Sequence, residues 1–173
     1  MIAFVLFIVI EVLRVFQIQP FGKTLNQVLD VFRDKQDQGP LLLTPIYLLL
    51  GLAAPLWLSF NYKHSNVLHP LLPFSGIISL GVGDTSAAVF GKLYGHTPWP
   101  GSQKTYIGSM ACLLSQILAW FTLMMVFETP FTVYSIVCIM TVSALVTIAE
   151  ALTLQIDNLL LPILTYTLLL ILA

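Results

Sequence analysis

Two polar runs in an apolar chain carry the residue types that could bind a cation and phosphate groups. Asp84 lies within Gly81–Ala88, whose other residues are small, apolar or hydroxylated. A carboxylate in hydrocarbon costs roughly 2.5–3.5 kcal/mol on insertion scales, so an acid inside a membrane segment predicts a functional site. Lys104 lies in the second run, Trp99–Thr105, where a Pro-Gly turn precedes it. An acid and a lysine brought together at a membrane face are typical of a site for a metal ion and phosphates.

Two further acids complete this candidate site. Glu150 lies near the end of an apolar segment, and Asp157 follows a short polar turn. Mg²⁺ prefers oxygen ligands and retains coordination positions for the phosphates of a nucleotide. We therefore predict that Asp84, Glu150 and Asp157 bind a divalent cation. The alternative for Glu150 and Asp157 is that acids at helix ends simply lie at the water boundary.

The small residues around Asp84 have two interpretations. Gly81, Ala88, Gly91 and Gly95 recur every three or four residues around the acid, and small residues allow close packing of helices in membranes. Alternatively, a helix broken at these glycines could offer free amide groups to an anion, as in transporters with broken helices. A phosphate-binding P-loop is excluded, because Gln103 stands where that motif requires its second glycine.

Composition assigns the chain to the membrane class. It is 58% hydrophobic and 9% charged, whereas ordinary soluble domains contain about 25% charged residues. The formal net charge is −1, so no basic field indicates nucleic acid as a partner. The cysteines, Cys112 and Cys138, fall in apolar segments and are predicted to be packing residues.

The predicted fold is an all-α polytopic membrane protein that forms a single membrane domain over residues 1–173. A spanning helix needs about 20 mostly apolar residues. A short amphipathic helix at the interface is predicted between Phe21 and Pro40, because Leu25, Val28, Leu29 and Phe32 have helical spacing. About six spans are predicted, namely Met1–Ile18, Leu41–Phe60, Pro70–Leu93, Tyr106–Phe127, Phe131–Leu152 and Asn158–Ala173.

Charge distribution predicts the orientation of these spans. Six spans place the loops 21–40, 92–105 and 153–157 on one side of the membrane. That side would hold most of the lysines and arginines outside the spans, and the opposite loops would hold Lys63. An excess of Lys and Arg marks the cytoplasmic side. Asp84, Lys104, Glu150 and Asp157 are therefore predicted to converge on the cytosolic face.

Several of these segments together resemble the dolichol kinase (polyprenol kinase) family. The similar segments are Gly39–Thr44 with Ile46–Gly51, Gly81–Thr85, Trp99–Thr105 and Glu150–Pro162, and the likeness extends over essentially the whole chain. A weaker likeness, through the Gly-Asp and Lys-Thr elements, extends to phytol kinases and phosphatidate cytidylyltransferases. Members of the family have further helices upstream, so the chain resembles their C-terminal part.

The resemblance implies a multi-pass enzyme of the endoplasmic reticulum membrane with its active site facing the cytosol. Such an enzyme transfers the γ-phosphoryl group of CTP, with Mg²⁺ or another divalent cation, to the hydroxyl of dolichol, and dolichyl phosphate supports protein glycosylation. Its expected partners are dolichol or polyprenol, CTP and membrane lipids. Asp84 and Lys104 would be catalytic. The implied nucleotide-binding residues are Gly81, Gly83, Thr85, Gly101, Ser102 and Thr105.

The chain also departs from the family pattern. The family usually reads Lys-Lys-Thr-x-Glu-Gly where this sequence has Gln103–Gly108, so one lysine and one glutamate are replaced. Three other functions therefore stay open: a CTP-using phosphatidate cytidylyltransferase-like enzyme, a small transporter, and a non-catalytic membrane fragment or subunit.

Overall fold

The computed structural model describes residues 2–20, 22–29, 40, 42–60, 67–153 and 157–172. Seven α-helices lie in these ranges, together with a 3₁₀ helix (His69–Phe74) and a π-helical segment (Ile77–Asp84). Within the described ranges the only β-pairing is an isolated bridge between Pro98 and Thr105, which agrees with the predicted all-α class. The α-helices are α1 (Ile2–Val15), α2 (Gly22–Leu29), α3 (Thr44–Phe60), α4 (Thr85–Tyr94), α5 (Tyr106–Val126), α6 (Val133–Leu152) and α7 (Asp157–Leu172).

The chain divides into two compact units, residues 1–50 and 51–173. In the first unit a buried ion pair joins Glu11 and Arg14, with an N–O distance of 2.6 Å. Arg14 also donates to the Asn26 side chain at 3.1 Å and to the Pro40 carbonyl at 2.5 Å. The Leu42 amide donates to Glu11 at 2.7 Å. These hydrogen bonds compensate the cost of burying both charges within an apolar helix.

α2 confirms that a short helix lies in the polar segment after the first apolar stretch. It includes Leu25, Val28 and Leu29 of the predicted apolar face, whereas Phe32 lies outside the described residues. Its placement at a membrane interface stays a prediction, and so does the single membrane domain.

Two helices in the described ranges are long and apolar enough to cross a membrane. They are α5 and α6, with 21 and 20 residues, and their bounds agree with those of the fourth and fifth predicted spans to within two residues at each end. α3 and α7 are apolar but shorter, at 17 and 16 residues. At about 1.5 Å per residue they fall short of the roughly 30 Å thickness of the hydrocarbon core. The prediction of about six spans is therefore met only in part.

The third predicted span is not one regular α-helix. Its first part is the 3₁₀ helix, with Pro70 and Pro73 inside it, since proline lacks the amide that an α-helical bond requires. The π-helical segment follows and ends at Asp84, and α4 continues directly from it. The chain therefore widens at Gly81 and Gly83 and does not break there. Such π-helical insertions occur frequently at functional sites.

The core of the second unit lies between the π-helical segment, α5, α6 and α7. It contains large apolar side chains with almost no exposed surface, among them Leu72, Trp120, Ile139 and Leu161. Cys112 and Cys138 are buried and free, which confirms their predicted role as packing residues. α5 and α6 form an antiparallel hairpin, and Thr132 begins α6 with a reciprocal capping box to Ser135.

Candidate functional site

A cavity of about 300 Å³ lies where α4, the loop 95–105, the start of α5 and the end of α6 meet. Asp84, Lys104 and Glu150 all line it. In the sequence, 20 positions separate Asp84 from Lys104 and 46 separate Lys104 from Glu150. The predicted convergence of these three residues is therefore present in the structure. The wall is completed by small or polar residues, namely Ala87, Ala88, Gly91, Lys92, Gln103, Thr105, Gly108 and Ser109.

Lys104 and Glu150 contact each other across this cavity. The Lys104 ammonium lies 2.8 Å from Glu150 Oε1 and donates to the backbone carbonyl of Glu150 at 2.7 Å. The carbonyl belongs to the last turn of α6, where the helix dipole favours a cation. The Lys104 side chain is 25% exposed and that of Glu150 is 3% exposed. A lysine on one wall is thus held by the acid on the other.

The second carboxylate oxygen of Glu150 is available for a further interaction. Glu150 Oε2 is buried and has no hydrogen-bond partner among the described residues. A buried carboxylate oxygen is normally paired, so Glu150 Oε2 can accept from a donor or bind a cation that enters the cavity. This atom is the strongest indication of a ligand in the site.

The loop that carries Lys104 is rigidly built. The Trp99 amide donates to the Lys104 carbonyl at 2.8 Å, and the Tyr106 amide donates to the Thr97 carbonyl at 3.2 Å. Trp99 also donates its indole N–H to Ser109 Oγ at 3.0 Å, and its ring lies 4.2 Å from that of Tyr106 between centroids. The Pro-Gly turn before Lys104 is therefore well ordered, and the Trp99 indole attaches it to the first turn of α5.

α4 and α5 approach closely at the cavity because glycines face each other. A Cβ atom on Gly108 would lie 2.8 Å from the Ala87 carbonyl oxygen and 3.3 Å from Gly91 Cα. No side chain fits there without a shift of backbone. The close-packing interpretation of Gly91 is therefore correct, and Gly108 has the same role on the partner helix.

The predicted nucleotide-binding residues have different positions. Thr105 lines the cavity, but its hydroxyl accepts from the Gly108 amide at 3.2 Å and so caps α5. Ser102 Oγ accepts from the Lys104 amide at 3.1 Å, and Gly101 has a φ of 77°, so both shape the turn.

Three other predicted residues lie on the π-helical side. Gly83 is buried against Gln116, where a Cβ atom would lie 2.9 Å from Gln116 Cγ. Thr85 donates to the Leu80 carbonyl at 3.2 Å. A Cβ atom on Gly81 would meet only Ile77 Cγ2, at 3.7 Å. None of these three residues lines the cavity. Their contact with a nucleotide stays a prediction.

The divalent-cation site stays a prediction. Asp84 and Glu150 share the cavity, whereas the side chain of Asp157 lies outside the described residues. Among the described residues no cluster of three or more His, Cys, Asp or Glu side chains could hold a metal ion. Mg²⁺ is commonly bound through one or two carboxylates together with phosphates, so a pair of acids still fits a cation that arrives with a nucleotide.

Sequence reasoning missed Ser109 and Gly108. Both lie at the start of an apolar segment, where polar and small residues look like ordinary helix positions. Ser109, Cys112 and Gln116 recur at helical spacing, and this polar stripe within an apolar span was the available signal.

The chain is a homologue of dolichol kinases. It is 42% identical over 172 residues to dolichol kinase of Mus musculus and to that of Homo sapiens, and each alignment covers 96% of this chain. A dolichol kinase of Arabidopsis thaliana is 33% identical over 173 residues. The chain spans 32%, 31% and 29% of the length of these relatives, respectively. The expected resemblance is thereby confirmed.

No protein-family model matches the chain. No solved structure matches it either.

Proposed function

We propose that this homologue of dolichol kinases carries the phosphoryl-transfer site of a CTP-dependent polyprenol kinase. The observation that carries the proposal is the shared cavity of Asp84, Lys104 and Glu150, with an unfilled carboxylate oxygen at its wall. Phosphoryl transfer requires positioning and neutralisation of charge more than covalent chemistry. A cavity that combines a lysine, two carboxylates and a helix N-terminus supplies both.

The phosphate groups of CTP would bind between Lys104 and the start of α5. Lys104 provides a point positive charge, and the dipole at the N-terminus of α5 favours a nearby anion. Gln103 and Lys92 line the same cavity and would add a donor and a second positive charge near the phosphates.

Asp84 and Glu150 would hold the divalent cation, with Glu150 contributing Oε2. A bound Mg²⁺ would neutralise charge on the phosphate oxygens. The hydroxyl oxygen of dolichol attacks the γ-phosphorus, the bond from that phosphorus to the bridging oxygen of CDP breaks, and the hydroxyl proton passes to a carboxylate of the cavity. The products are dolichyl phosphate and CDP.

The cellular setting belongs to the same proposal. α5 and α6 are apolar enough to span a membrane, and the names of the relatives specify dolichol as the lipid. We place the cavity at the cytosolic face of the endoplasmic reticulum membrane, where CTP is available and dolichyl phosphate would support glycosylation. The orientation rests on the distribution of Lys and Arg between predicted loops.

The test is phosphoryl transfer with purified protein and two labelled nucleotides. A kinase places label from γ-labelled CTP, and none from α-labelled CTP, on the lipid extract. Asp84→Asn should abolish that label at unchanged expression. Glu128→Gln is the matched control, because Glu128 is an exposed acid on the turn at the opposite end of the α5–α6 hairpin.

Other outcomes would contradict the proposal in distinct ways. Label from α-labelled CTP would assign a cytidylyltransferase. Absence of lipid label from both nucleotides would favour a non-catalytic subunit, for which the mutual neutralisation of Lys104 and Glu150 is the specific structural support. Full activity of Asp84→Asn would remove Asp84 from the mechanism.

A further inference from the structure

A row of polar side chains continues from the cavity into the interior between α5 and α6. Cys112 Sγ accepts from the Thr147 hydroxyl at 3.7 Å, which fixes the register of the two antiparallel helices. Ser109 lies three residues before Cys112 on α5, and Glu150 lies three residues after Thr147 on α6. Both line the cavity. Away from the cavity, Gln116 follows Cys112 by four residues and Ser143 precedes Thr147 by four. The same register therefore places Gln116 opposite Ser143.

These interior side chains are completely buried but are not satisfied. Gln116, Trp120 and Ser143 each have 0% exposed surface. Among the described residues, Gln116 Oε1, Trp120 Nε1 and Ser143 Oγ have no hydrogen-bond partner. Buried polar atoms are normally paired, and exceptions call for an explanation such as a bound water or ligand.

Ser143 differs from the hydroxyl residues around it. Thr122 and Thr141 donate to the carbonyl four residues earlier, each at 2.8 Å, which is the usual way for a helix to satisfy a hydroxyl in an apolar setting. Ser143 has no such bond in the described structure. Its hydroxyl is therefore available to a group outside its own helix.

The three residues lie on neighbouring turns of the facing helices α5 and α6. Long side chains on a helix lean toward its N-terminus, so we expect the Trp120 indole to lie toward Gln116, one turn earlier. Gln116 Nε2 donates to Cys112 Sγ at 3.1 Å, which leaves Oε1 to accept. The π-helical segment closes the third side, since Gly83 packs directly against the Gln116 side chain.

We propose that Gln116, Trp120 and Ser143 form a buried binding site for a hydroxyl group, next to the residue pair Gly83 and Asp84. The amide oxygen requires a donor, the indole N–H requires an acceptor, and the serine hydroxyl can serve as either. A hydroxyl group both donates and accepts, so it complements all three. Two sources have this chemistry: an internal water, and the terminal hydroxyl of a polyprenol alcohol. Only the polyprenol hydroxyl rests on the proposed function; the internal water does not.

The test observes the Trp120 indole directly. The whole chain is labelled with ¹⁵N-tryptophan in lipid nanodiscs, and the three indole signals are assigned with Trp→Phe variants. Magnetisation exchange between the Trp120 N–H and water, without added lipid alcohol, identifies internal water. A saturable shift of that signal with a polyprenol alcohol, absent with the matching polyprenyl methyl ether, identifies the lipid hydroxyl.

Either result should disappear in Ser143→Ala and in Gln116→Leu. The Trp99 indole, which is bonded to Ser109, should keep its shift and so reports correct folding of each variant. If Gln116→Leu disturbs the Trp99 signal, Ser143→Ala decides alone, because it removes a single oxygen. A Trp120 signal that neither exchanges with water nor responds to the alcohol overturns the proposed site. The transfer assay with labelled CTP is scored separately, so failure of this site and failure of the kinase proposal are distinguishable.

Discussion

The Lys104 ammonium binds two oxygens of one residue, Glu150 Oε1 at 2.8 Å and the Glu150 backbone carbonyl at 2.7 Å. The contact ties the loop before α5 to the last turn of α6. It also places the positive charge that a phosphate would require beside the carboxylate that a cation would require. A structural role and a chemical role of Lys104 are therefore separable only by variants of both residues.

Lys104→Met should abolish lipid phosphorylation and also lower the melting temperature, because it leaves the Glu150 carboxylate buried without its partner. Removal of one partner from a buried pair costs about 3–5 kcal/mol, and the partial exposure of Lys104 places the expected loss at or below the lower end. Lys104→Met with Glu150→Gln should recover most of the stability and none of the activity. Recovery of activity in the double variant would show that Lys104 acts through Glu150 alone.

Gly108→Ala should destabilise the protein and impair the cavity together. Its methyl group would lie 2.8 Å from the Ala87 carbonyl oxygen, so α4 and α5 must separate. Gly81→Ala is the matched control, because its methyl group would meet only Ile77 Cγ2 at 3.7 Å. Replacing a helical glycine by alanine where space allows raises the free energy of unfolding by about 0.5–1 kcal/mol. In thermal unfolding, the melting temperature should fall for Gly108→Ala and rise for Gly81→Ala. Equal shifts of the two melting temperatures would contradict the packing argument.

Ser109→Ala should weaken nucleotide binding. It removes the acceptor of the Trp99 indole N–H, which fixes the loop that carries Lys104. A hydrogen bond of this kind contributes about 1 kcal/mol, so we expect a roughly fivefold higher KM for CTP. Trp57→Phe serves as the control, since Trp57 is a half-exposed tryptophan remote in sequence from the loop. An unchanged KM in Ser109→Ala would show that the Tyr106 contact and the backbone bonds hold the loop by themselves.

Gln103→Lys should raise the affinity for CTP. Gln103 is exposed and lines the cavity, so a lysine there adds positive charge beside the proposed phosphate position. The gain should shrink as salt rises, because exposed charges are screened over about 10 Å at 0.1 M ionic strength. Titration with CTP at two salt concentrations measures both effects. A gain that is independent of salt would indicate a packing effect instead.

The sequence predicted the parts of the site but not their pairing. Topology and Lys/Arg bias were sufficient to bring Asp84, Lys104 and Glu150 to one cavity, since each lies near a helix end on the same predicted side. The ion pair between Lys104 and Glu150 was not predictable, because helical periodicity does not determine which side chains meet across a loop. Gln116 was missed for a related reason: the stripe of Ser109, Cys112 and Gln116 marks one face of α5 but does not reveal what that face contacts.

The fold, too, was predictable in some elements and not in others. The limits of α5 and α6 followed from two uninterrupted apolar runs separated by Glu128–Pro130. The third predicted span failed as a regular helix because prolines near its start and glycines near Asp84 change the hydrogen-bond pattern. Apolar composition predicted that this stretch is helical, but it carries no information about 3₁₀ or π geometry.

The π-helical segment before Asp84 makes helix geometry there as important as residue identity. A π-helical turn accommodates about one residue more than an α-helical turn, and each α-helical residue turns the chain by about 100°. If the same residues between Ile77 and Asp84 rewound into a regular α-helix, everything that follows would therefore rotate by about that angle. The carboxylate and the small residues behind it would then face away from the lysine loop, and the cavity would be silenced while every residue that lines it remained in the chain.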